Sequence, residues 1–583
     1  MSWFDEYMRE ENNKDREDLS QLEEQLRCER DPRRRRSLEN DINIIVQRIH
    51  QRQLRYQQIH EGSSVSPWVI FYFAKNKINY FIRLVPNFIK IIVLILILII
   101  FSLSLNQIFN PKKTLEPINV TSDQNNNDAD IKKHMSYGEK TLFSGGIINS
   151  KQEGMKNYSA GNFGGAADEF DKARTKQPHD PETLIYLNNA NLNSNTNIEF
   201  DTIAVIIPVT NLEVSLDILR GVAQVQDSFN KENKKFNKGL KILIVNDGND
   251  INRAKAVARY LVKQDILAVI GHYTSDATLE ASKIYEAEKL VYISPGTTYT
   301  KLSRNTNYNF FYRTVPPLSK YTSALASFLR EKRYKKFVIF YNRKSIYSDD
   351  FNSNIDESLS STGIEKINKG FDDKYFLLSD PLFQANISIE KFKNKNDVAF
   401  IVIPDGGTSI YSLPNAIKLI KANRGEHLIL GSNTLSSIDT LLIGNDAKNL
   451  FISIYQSETI LPNSPFVKEF KSLWNIREIS ERTVVAYDAA KALATALPKV
   501  ASSNKLMLKR QKLHETLPKI EIEGANKEKF KFSNGERTQV SVGDKFEIAK
   551  VVELYECSAY GYIFVPEKYT SGQVDNLKKD CQH

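Results

Sequence analysis

Cysteine is scarce in this chain, with only Cys28, Cys557 and Cys581 among 583 residues. None of them forms a CxxC pair, so the sequence predicts neither a disulfide-rich scaffold nor a thiol-based zinc or redox centre. The eight histidines are scattered without metal-ligand spacing, and we expect no metal and no cofactor. A GxxxxGK nucleotide loop and a GxSxG nucleophile elbow are also missing from the sequence. These absences argue against a metalloenzyme, a nucleotide-driven pump and a serine hydrolase.

The charge balance is mild, with a formal net charge of +9 and 26% charged residues. The one dense basic run, at 33–36, lies in a Glu-rich segment and fits a solvated helix face. Basic residues do not form the stripe interleaved with aromatic residues that is typical of nucleic-acid binding, so we expect no nucleic-acid partner. The length and the 41% of hydrophobic residues indicate a globular protein of several domains.

Residues 1–65 are rich in Glu, Arg and Gln, with apolar residues at helical spacing. These residues are Leu19, Leu22, Leu26, Ile42, Ile45 and Ile49. Pro32 interrupts the pattern, so we predict a helical hairpin. It is either a solvated pair of helices or coiled coil, or a module that docks a cytoplasmic partner.

A hydrophobic stretch within residues 66–110 predicts one transmembrane helix, at about 89–109. Residues 91–105 contain no charged side chain, and the stretch is long enough to cross a hydrocarbon core of about 30 Å. Four basic residues lie in the twenty residues before it and two in the twenty after it: Lys75, Lys77, Arg83 and Lys90, then Lys112 and Lys113. This bias predicts a single-pass protein of the inner membrane, with a cytoplasmic N-terminus and everything after about residue 110 outside.

Residues 111–150 are rich in Asn, Asp, Ser and Gly, which predicts a flexible linker. Residues 151–195 then resemble the tetratricopeptide repeat. The matching positions are Gly154, Tyr158, Gly161, Asn162, Phe163, Ala166, Phe170, Ala173 and Pro178. About one and a half repeats cannot bury a solenoid core by themselves. We therefore expect a helical spacer that packs on its neighbour rather than a peptide-binding groove.

From residue 198 to 565, short apolar runs alternate with amphipathic segments. The predicted strands are 203–209, 241–246, 266–271, 291–294, 336–341, 398–403 and 428–431. Fully apolar strands that alternate with helices indicate parallel sheets covered on both faces. The segment is too long for one sheet, so we predict two α/β lobes. A short strand is predicted at 562–565, and a polar tail follows it at 566–583.

The sequence GHYTSDAT at 271–278 follows one of these strands and opens a helix predicted at 277–288. Doubly wound sheets bind ligands at such places, because helix N-termini present unpaired N–H groups to an anion. The next strand ends in SPGTT, which brings Gly296, Thr297 and Thr298 to the same edge. We expect the two hydroxyl-rich loops to form a cradle for a carboxylate or a similar group.

His272, Ser275 and Asp276 are the residue types of a hydrolytic triad, but they lie within one short loop. The members of catalytic triads converge from separate elements. Asp276, or equally Ser275, also fits the N-cap of the following helix. We therefore interpret the loop as a binding cradle and do not expect an enzyme.

Five motifs in order make residues 200–565 resemble the type I periplasmic solute-binding proteins of ABC transporters, the branched-chain amino acid and amide group. They are VIGHYTSDATLEAS, LVYISPGTT, FYRTVPP, AYDAAKALATAL and EGANKEKFKFSNGER. The resemblance implies a two-lobed α/β fold that closes on its ligand by hinge motion.

The resemblance also implies a set of ligand-binding residues. They are Tyr273, Thr274, Ser275, Gly296 and Thr298 from the first lobe and Tyr347 from the second. Family members often carry an acidic residue after a second-lobe strand, where this chain has Asn433; Asp276 or Asp405 is the candidate to replace that charge. We expect the ligand to be a small polar compound, an amino acid or amide-like molecule.

Two functions are compatible with this organisation. The leading hypothesis is a membrane-anchored extracytoplasmic solute-binding protein of an ABC-type uptake system, with permease components as partners. The alternative is a transmembrane ligand-sensing receptor that signals through its cytoplasmic segment. The predicted topology also places Cys557 and Cys581 in an oxidising compartment, where we predict a disulfide; two unpaired thiols are the alternative.

Overall fold

The computed structural model describes residues 128–582, apart from 144–146, 305–306, 369–370, 394, 396, 456–463, 477–478, 501–504, 541–545 and 555–560. The helical hairpin predicted at 1–65 and the transmembrane span predicted at 89–109 lie outside these residues. So does the predicted disulfide, because Cys557 and the side chain of Cys581 are not described. Within the described part of the chain, no helix is both long and apolar enough to cross a membrane.

Three helices precede the sheets: α1 (Asn149–Ser159), α2 (Phe163–Lys176) and α3 (Pro181–Asn193). A small residue lets the first two approach closely, since a Cβ atom on Gly154 would lie 2.6 Å from the ring of Phe170. The amide of Asn189 in α3 donates a hydrogen bond to the carbonyl oxygen of Ile242 (2.7 Å), which ties the helices to the first lobe. Their assignment as a tetratricopeptide-like unit stays a prediction.

The first lobe is built on a mixed sheet. Its described strands, in spatial order, are β1 (Met135–Ser136), β3 (Lys238–Asn246), β2 (Glu199–Ile207), β4 (Ala268–Ile270), β5 (Val291–Ser294), β6 (Phe311–Arg313), β14 (Glu536–Gln539), β13 (Lys529–Ser533) and β12 (Ile522–Glu523). In this spatial order, each pair of neighbours between β3 and β14 is parallel. The pairs β1–β3, β14–β13 and β13–β12 are antiparallel. The helices of this lobe are α4 (Leu212–Asn233), α5 (Ile251–Leu261), α6 (Ser275–Ala287), α7 (Thr300–Arg304), α13 (Pro465–Trp474), α14 (Glu481–Ala496) and α15 (Leu506–Thr516).

The second lobe is built on a separate sheet. Its described strands, in spatial order, are β16 (Tyr562–Pro566), β15 (Phe546–Glu553), β11 (Leu450–Tyr455), β10 (Ile429–Gly431), β9 (Val398–Ile403), β7 (Lys336–Tyr341) and β8 (Glu365–Lys366). Strands β8 to β11 are parallel, and β15 and β16 pair antiparallel. Its helices are α8 (Leu318–Glu331), α9 (Ile346–Ser360), α10 (Ala385–Glu390), α11 (Ser412–Asn423) and α12 (Ile438–Leu441), and α16 (Ser571–Gln582) follows β16.

Both sheets are buried on two faces. Successive side chains of a strand point to opposite faces, so Val205 and Ile206 of β2 belong to different hydrophobic clusters, as do Phe400 and Ile401 of β9. Each of these side chains is fully buried. Helices must cover both faces to bury them, which explains the uninterrupted apolar runs in the sequence.

Part of the predicted linker at 111–150 belongs to the first lobe. Met135 and Ser136 form the edge strand β1, which pairs with Val245 and Ile244 of β3. Ser136 is fully buried, and its hydroxyl donates a hydrogen bond to the carbonyl oxygen of Lys140 (2.7 Å). Backbone pairing at a sheet edge requires no apolar run, so the polar composition of this segment does not reveal it. Likewise, the residues of the predicted polar tail at 571–582 form the helix α16.

Candidate ligand-binding site

Two loops of the first lobe lie side by side at the carboxyl ends of β4 and β5. These strands are parallel neighbours, with Ile270 opposite Ile293, so the chain leaves both at the same edge of the sheet. The first loop opens α6 at Ser275. Thr297 of the second loop donates a hydrogen bond from Oγ1 to Ser275 Oγ (2.9 Å). This bond joins the two predicted loops into one surface that includes the N-terminus of α6.

The second lobe supplies the opposite surface from the carboxyl ends of β7, β9 and β10. Tyr347, in the first turn of α9, is buried, and burial raises the pKa of its hydroxyl. That hydroxyl donates a hydrogen bond to Oδ1 of Asn433, which follows β10 (2.7 Å). A loop at 405–409 follows β9. The three connections place their polar side chains against the loops of the first lobe.

A cavity of about 20 Å³, here named the hydroxyl pocket, lies between the two surfaces. It is lined by Tyr273, Thr274, Ser275, Asp276, Gly296, Ser345, Tyr347, Gly406, Thr408, Asn433 and Thr434. Oγ1 of Thr274 and Oγ1 of Thr408 come from opposite lobes, and both are buried without a hydrogen-bond partner among the described residues. Nearly all buried polar groups in native proteins are bonded, so these two hydroxyls can serve a ligand.

The hydroxyl pocket contains six of the predicted site residues: Tyr273, Thr274, Ser275, Gly296, Tyr347 and Asn433. Asp276, the candidate to replace the missing acidic residue, also lines the pocket, whereas Thr297, Thr298 and Asp405 do not. Thr297 bonds to Ser275, and Thr298 is buried with its Oγ1 unpartnered in the described structure. Asp405 accepts hydrogen bonds from Nδ2 of Asn342 (2.6 Å) and the backbone nitrogen of Gly407 (2.9 Å), so it shapes the 405–409 loop.

Sequence reasoning missed Ser345, Thr408 and Thr434, which line the pocket from the second lobe. Each follows the carboxyl end of a parallel strand. The sequence DGGTS at 405–409 carries the same signal as GHYTSDAT, hydroxyl residues directly after a buried strand. Applying one rule to both lobes would therefore have identified Thr408, and it would also have identified Ser345 after β7 and Thr434 after β10.

A second cavity of about 30 Å³ adjoins the first and is here named the charged pocket. It is lined by Tyr273, Pro295, Gly296, Val315, Asn433, Ser436, Glu481, Arg482 and Val485, three of which also line the hydroxyl pocket. Arg482 donates from Nε to Asp217 Oδ2 (3.0 Å), from Nη1 to the carbonyl oxygen of Ser436 (3.0 Å) and from Nη2 to Glu213. Arg220 bonds to the other oxygen of Asp217 (3.1 Å). A network of charged groups therefore supports this pocket.

Glu481 is the acidic residue in the wall of the charged pocket. One carboxylate oxygen accepts a hydrogen bond from the backbone nitrogen of Tyr455 (3.2 Å), and the other accepts from the hydroxyl of Tyr321. Burial raises the pKa of Glu481 to about 7, because removal from water disfavours the charged form. Each oxygen retains a lone pair for a further donor.

Carboxylates join the lobes across the cleft. Asp276, in the first turn of α6, accepts hydrogen bonds from the backbone nitrogen of Ile346 (3.1 Å) and the hydroxyl of Ser345 (3.3 Å) at the start of α9. In the reverse direction, Asp350 of α9 accepts from the backbone nitrogen and the hydroxyl of Thr300, both at 2.9 Å. Burial raises the pKa of both aspartates. With these contacts formed, the two lobes are closed against each other.

His272 does not act on Ser275. Its ring is fully buried, with Nδ1 2.7 Å from Oδ2 of Asp247 and Nε2 3.1 Å from the hydroxyl of Tyr285. Ser275 Oγ instead accepts the hydrogen bond from Thr297. The histidine thus supports the loop that follows β4, and the geometry of a catalytic triad is not formed.

Comparison with known proteins supplies relatives for the two lobes. A family model described as the receptor family ligand binding region matches residues 222–543. The Leu/Ile/Val-binding protein of Citrobacter freundii is 30% identical over 132 residues, or 22% of this chain and 36% of that protein. A leucine-, isoleucine-, valine-, threonine-, and alanine-binding protein of Pseudomonas aeruginosa is 26% identical over 164 residues, or 27% of this chain and 44% of that protein. The matched segments thus span less than half of each relative.

Solved structures were compared with the two lobes. An ABC transporter solute-binding protein from R. palustris, in complex with benzoate, has a TM-score of 0.50 at 14% identity and covers 63% of this chain and 96% of that chain. A branched-chain amino acid transporter substrate binding protein from Streptococcus pneumoniae, in complex with isoleucine, has a TM-score of 0.49 at 17% identity, covering 63% and 100%. The first of these confirms the predicted two-lobed α/β fold of type I periplasmic binding proteins.

Proposed function

The chain belongs to the family of receptor ligand-binding regions, whose model covers more than half of its length, and we propose that it binds a small polar ligand, an amino acid or amide-like compound, between its two lobes. The observation that carries this proposal is the pair of unpartnered hydroxyls in the hydroxyl pocket. Thr274 Oγ1 belongs to the first lobe and Thr408 Oγ1 to the second, and neither has a partner within the described residues. A ligand that bonds to both satisfies two buried groups and holds the lobes together.

Ligand entry requires the lobes to separate. The two pockets have volumes of about 20 and 30 Å³, and a single water occupies roughly 10–15 Å³ on this measure. An amino acid therefore cannot enter the closed cleft. Binding is coupled to hinge opening and closure, and a ligand with micromolar affinity provides about 8 kcal/mol to bias that equilibrium.

The biological role that we propose is that of a membrane-anchored solute-binding protein outside the cytoplasm, which serves an ABC-type uptake system. The relatives that are named as amino acid-binding proteins support the role in solute binding, and the hydrophobic stretch at 89–109 supports the membrane anchor. Co-purification of permease components with the full chain from native membranes tests this role.

The competing role is a ligand-sensing receptor, for which the charged segment at 1–65, predicted to be helical, is the supporting observation. Ligand-dependent pairing of that segment would favour it.

A thermal-shift screen of the full chain in detergent tests the binding function. Amino acids, amides and small carboxylic acids are the probes, and a ligand at 100 times its Kd stabilises the folded state by about 2.7 kcal/mol. Thr408→Val and Ser275→Ala should each weaken the binding of a hit by about 1.5–3 kcal/mol, since each removes a hydrogen bond to a charged ligand group. Thr175→Val, at an exposed position of α2, is the matched control. Unchanged affinity in both cleft variants would place the site elsewhere.

A further inference from the structure

The charged pocket differs in chemistry from the hydroxyl pocket beside it. Among its described lining residues, only Pro295, Val315 and Val485 present purely aliphatic side chains. Glu481 and Arg482 place a carboxyl group and a guanidinium group in the same wall. An aliphatic ligand group in this pocket would cover these groups without bonding to them, which is unfavourable. The pocket is therefore poorly suited to a branched-chain side chain.

Carboxyl groups outnumber guanidinium groups in the network around this pocket. Glu213 and Asp217 both accept hydrogen bonds from Arg482, and Asp217 also pairs with Arg220. Glu481 adds a third carboxyl group from the wall. When all three are ionised, this network has one more negative charge than positive charges, so it attracts a cation.

The hydrogen-bonding capacity of the wall also favours a donor. The guanidinium of Arg482 is already engaged by its two acidic partners and by the carbonyl oxygen of Ser436. Glu481 accepts one hydrogen bond at each oxygen, from Tyr321 and Tyr455, and each oxygen can accept another. An N–H donor on a ligand thus finds acceptors, whereas a carboxylate would compete with the acidic partners of Arg482.

We propose that the ligand carries a cationic nitrogen group, an ammonium or a guanidinium, at the end that enters the charged pocket, and that Glu481 selects it. The other end lies in the hydroxyl pocket, where the buried hydroxyl of Thr274 lacks a partner within the described structure. The ligand class is therefore a basic amino acid or a related amine. This inference rests on the ligand-binding function proposed above and adds to it the identity of the ligand's distal group.

Isothermal titration calorimetry of the full chain in detergent tests the inference with four probes: L-arginine, L-lysine, L-leucine and L-glutamate. Arginine or lysine should bind at least about tenfold more tightly than leucine and glutamate, because only a cation pairs with the buried carboxylate. Glu481→Gln should weaken binding of the basic amino acid by about tenfold or more and should not weaken binding of leucine. Glu331→Gln, at an exposed position at the end of α8, should leave all affinities as they are. Circular dichroism of each variant confirms folding.

The outcomes separate this inference from the function on which it rests. Binding of leucine or glutamate as tight as that of arginine, or an unchanged arginine affinity in a folded Glu481→Gln variant, overturns the inference and leaves ligand binding in the cleft intact. If none of the four probes binds, the inference also fails. Binding of an amide or a small acid in the wider thermal-shift screen would then preserve the proposed function, and binding of no compound would overturn both.

Discussion

Oδ1 of Asp276 lies 3.1 Å from the backbone nitrogen of Ile346, so a carboxylate in the first turn of α6 caps the first turn of α9 in the other lobe. The N-terminus of a helix carries a partial positive charge, and a carboxylate there is stabilising. Asp350 and Thr300 repeat the arrangement in the reverse direction. The closed cleft is thus held in part by groups of the protein itself, before any ligand contributes.

Asp276→Ala should favour opening of the cleft in the absence of ligand. The change removes two hydrogen bonds to a carboxylate, from Ile346 and Ser345, and each such bond contributes about 1.5–3 kcal/mol when buried. Hydrogen exchange followed by mass spectrometry should show faster exchange of the peptide that spans 345–350. Asp349→Asn, in the same turn of α9 but exposed, should leave that exchange unchanged. Equal protection in both variants would show that closure does not depend on Asp276.

Gly221→Ala should destabilise the first lobe. A Cβ atom at Gly221 in α4 would lie 2.3 Å from the backbone oxygen of Thr483 and 2.7 Å from the backbone nitrogen of Tyr487, so α4 and α14 would have to move apart. Overpacking of this kind costs about 1–3 kcal/mol. Gly164→Ala in α2 is the control, because nothing lies within 4 Å of its Cβ position, and alanine there should stabilise the helix by up to about 1 kcal/mol. Urea unfolding measures both changes.

Glu481 should make the protein more stable at mildly acidic pH than at alkaline pH. Burial raises the pKa of Glu481 to about 7 from its ordinary value of 4.5, so the folded state binds its proton more tightly than the unfolded state does. The resulting stabilisation, about 3 kcal/mol, is fully present below pH 4.5 and is lost as the pH rises through 7. Glu481→Gln should flatten the profile of unfolding free energy between pH 5 and 8, roughly the interval over which the glutamate titrates. A wild-type profile already flat over this interval would contradict the assignment.

His272→Phe should make the first lobe easier to unfold, and it should neither create nor abolish enzymatic activity. Phenylalanine keeps an aromatic ring beside Tyr285 but leaves the fully buried Asp247 carboxylate without the partner at 2.7 Å. Removing one partner of a buried pair costs about 3–5 kcal/mol. Asp247→Asn, which keeps a hydrogen-bonding group, should cost less, as denaturant unfolding can measure. Esterase and amidase assays that lose activity with His272→Phe while the fold stays intact would instead revive the triad.

The alternation of apolar strands and helices was readable in the sequence because buried parallel strands need apolar side chains on both faces. The strands predicted at 291–294, 336–341 and 398–403 coincide with β5, β7 and β9. The edge strand β16 was also predicted, at 562–565, but two other strands gave no such signal. β13 alternates exposed and buried residues, and β1 has only two residues.

Local signals identified half of the site. Hydroxyl residues after β4 and β5 predicted the first-lobe surface, because a parallel strand delivers its carboxyl end to a known edge of the sheet. The sequence does not state which second-lobe loops face that edge, since that depends on how two separate sheets close on each other. Thr408 faces Thr274 across the hydroxyl pocket although it lies 134 positions later in the chain, a separation that no local pattern spans.

The fold class, the alternation of strands and helices and the chemistry of the first-lobe loops could thus be predicted from the sequence, because these follow from local periodicity and from strand polarity. The roles of the residues in those loops became visible only when the two lobes were seen packed together. Asp276 became a bridge between lobes rather than a member of a triad, and His272 became a buried support paired with Asp247. Glu481 and Arg482 became the wall of a pocket. Such roles depend on burial and on partners distant in the chain, which arise only when the two lobes pack together.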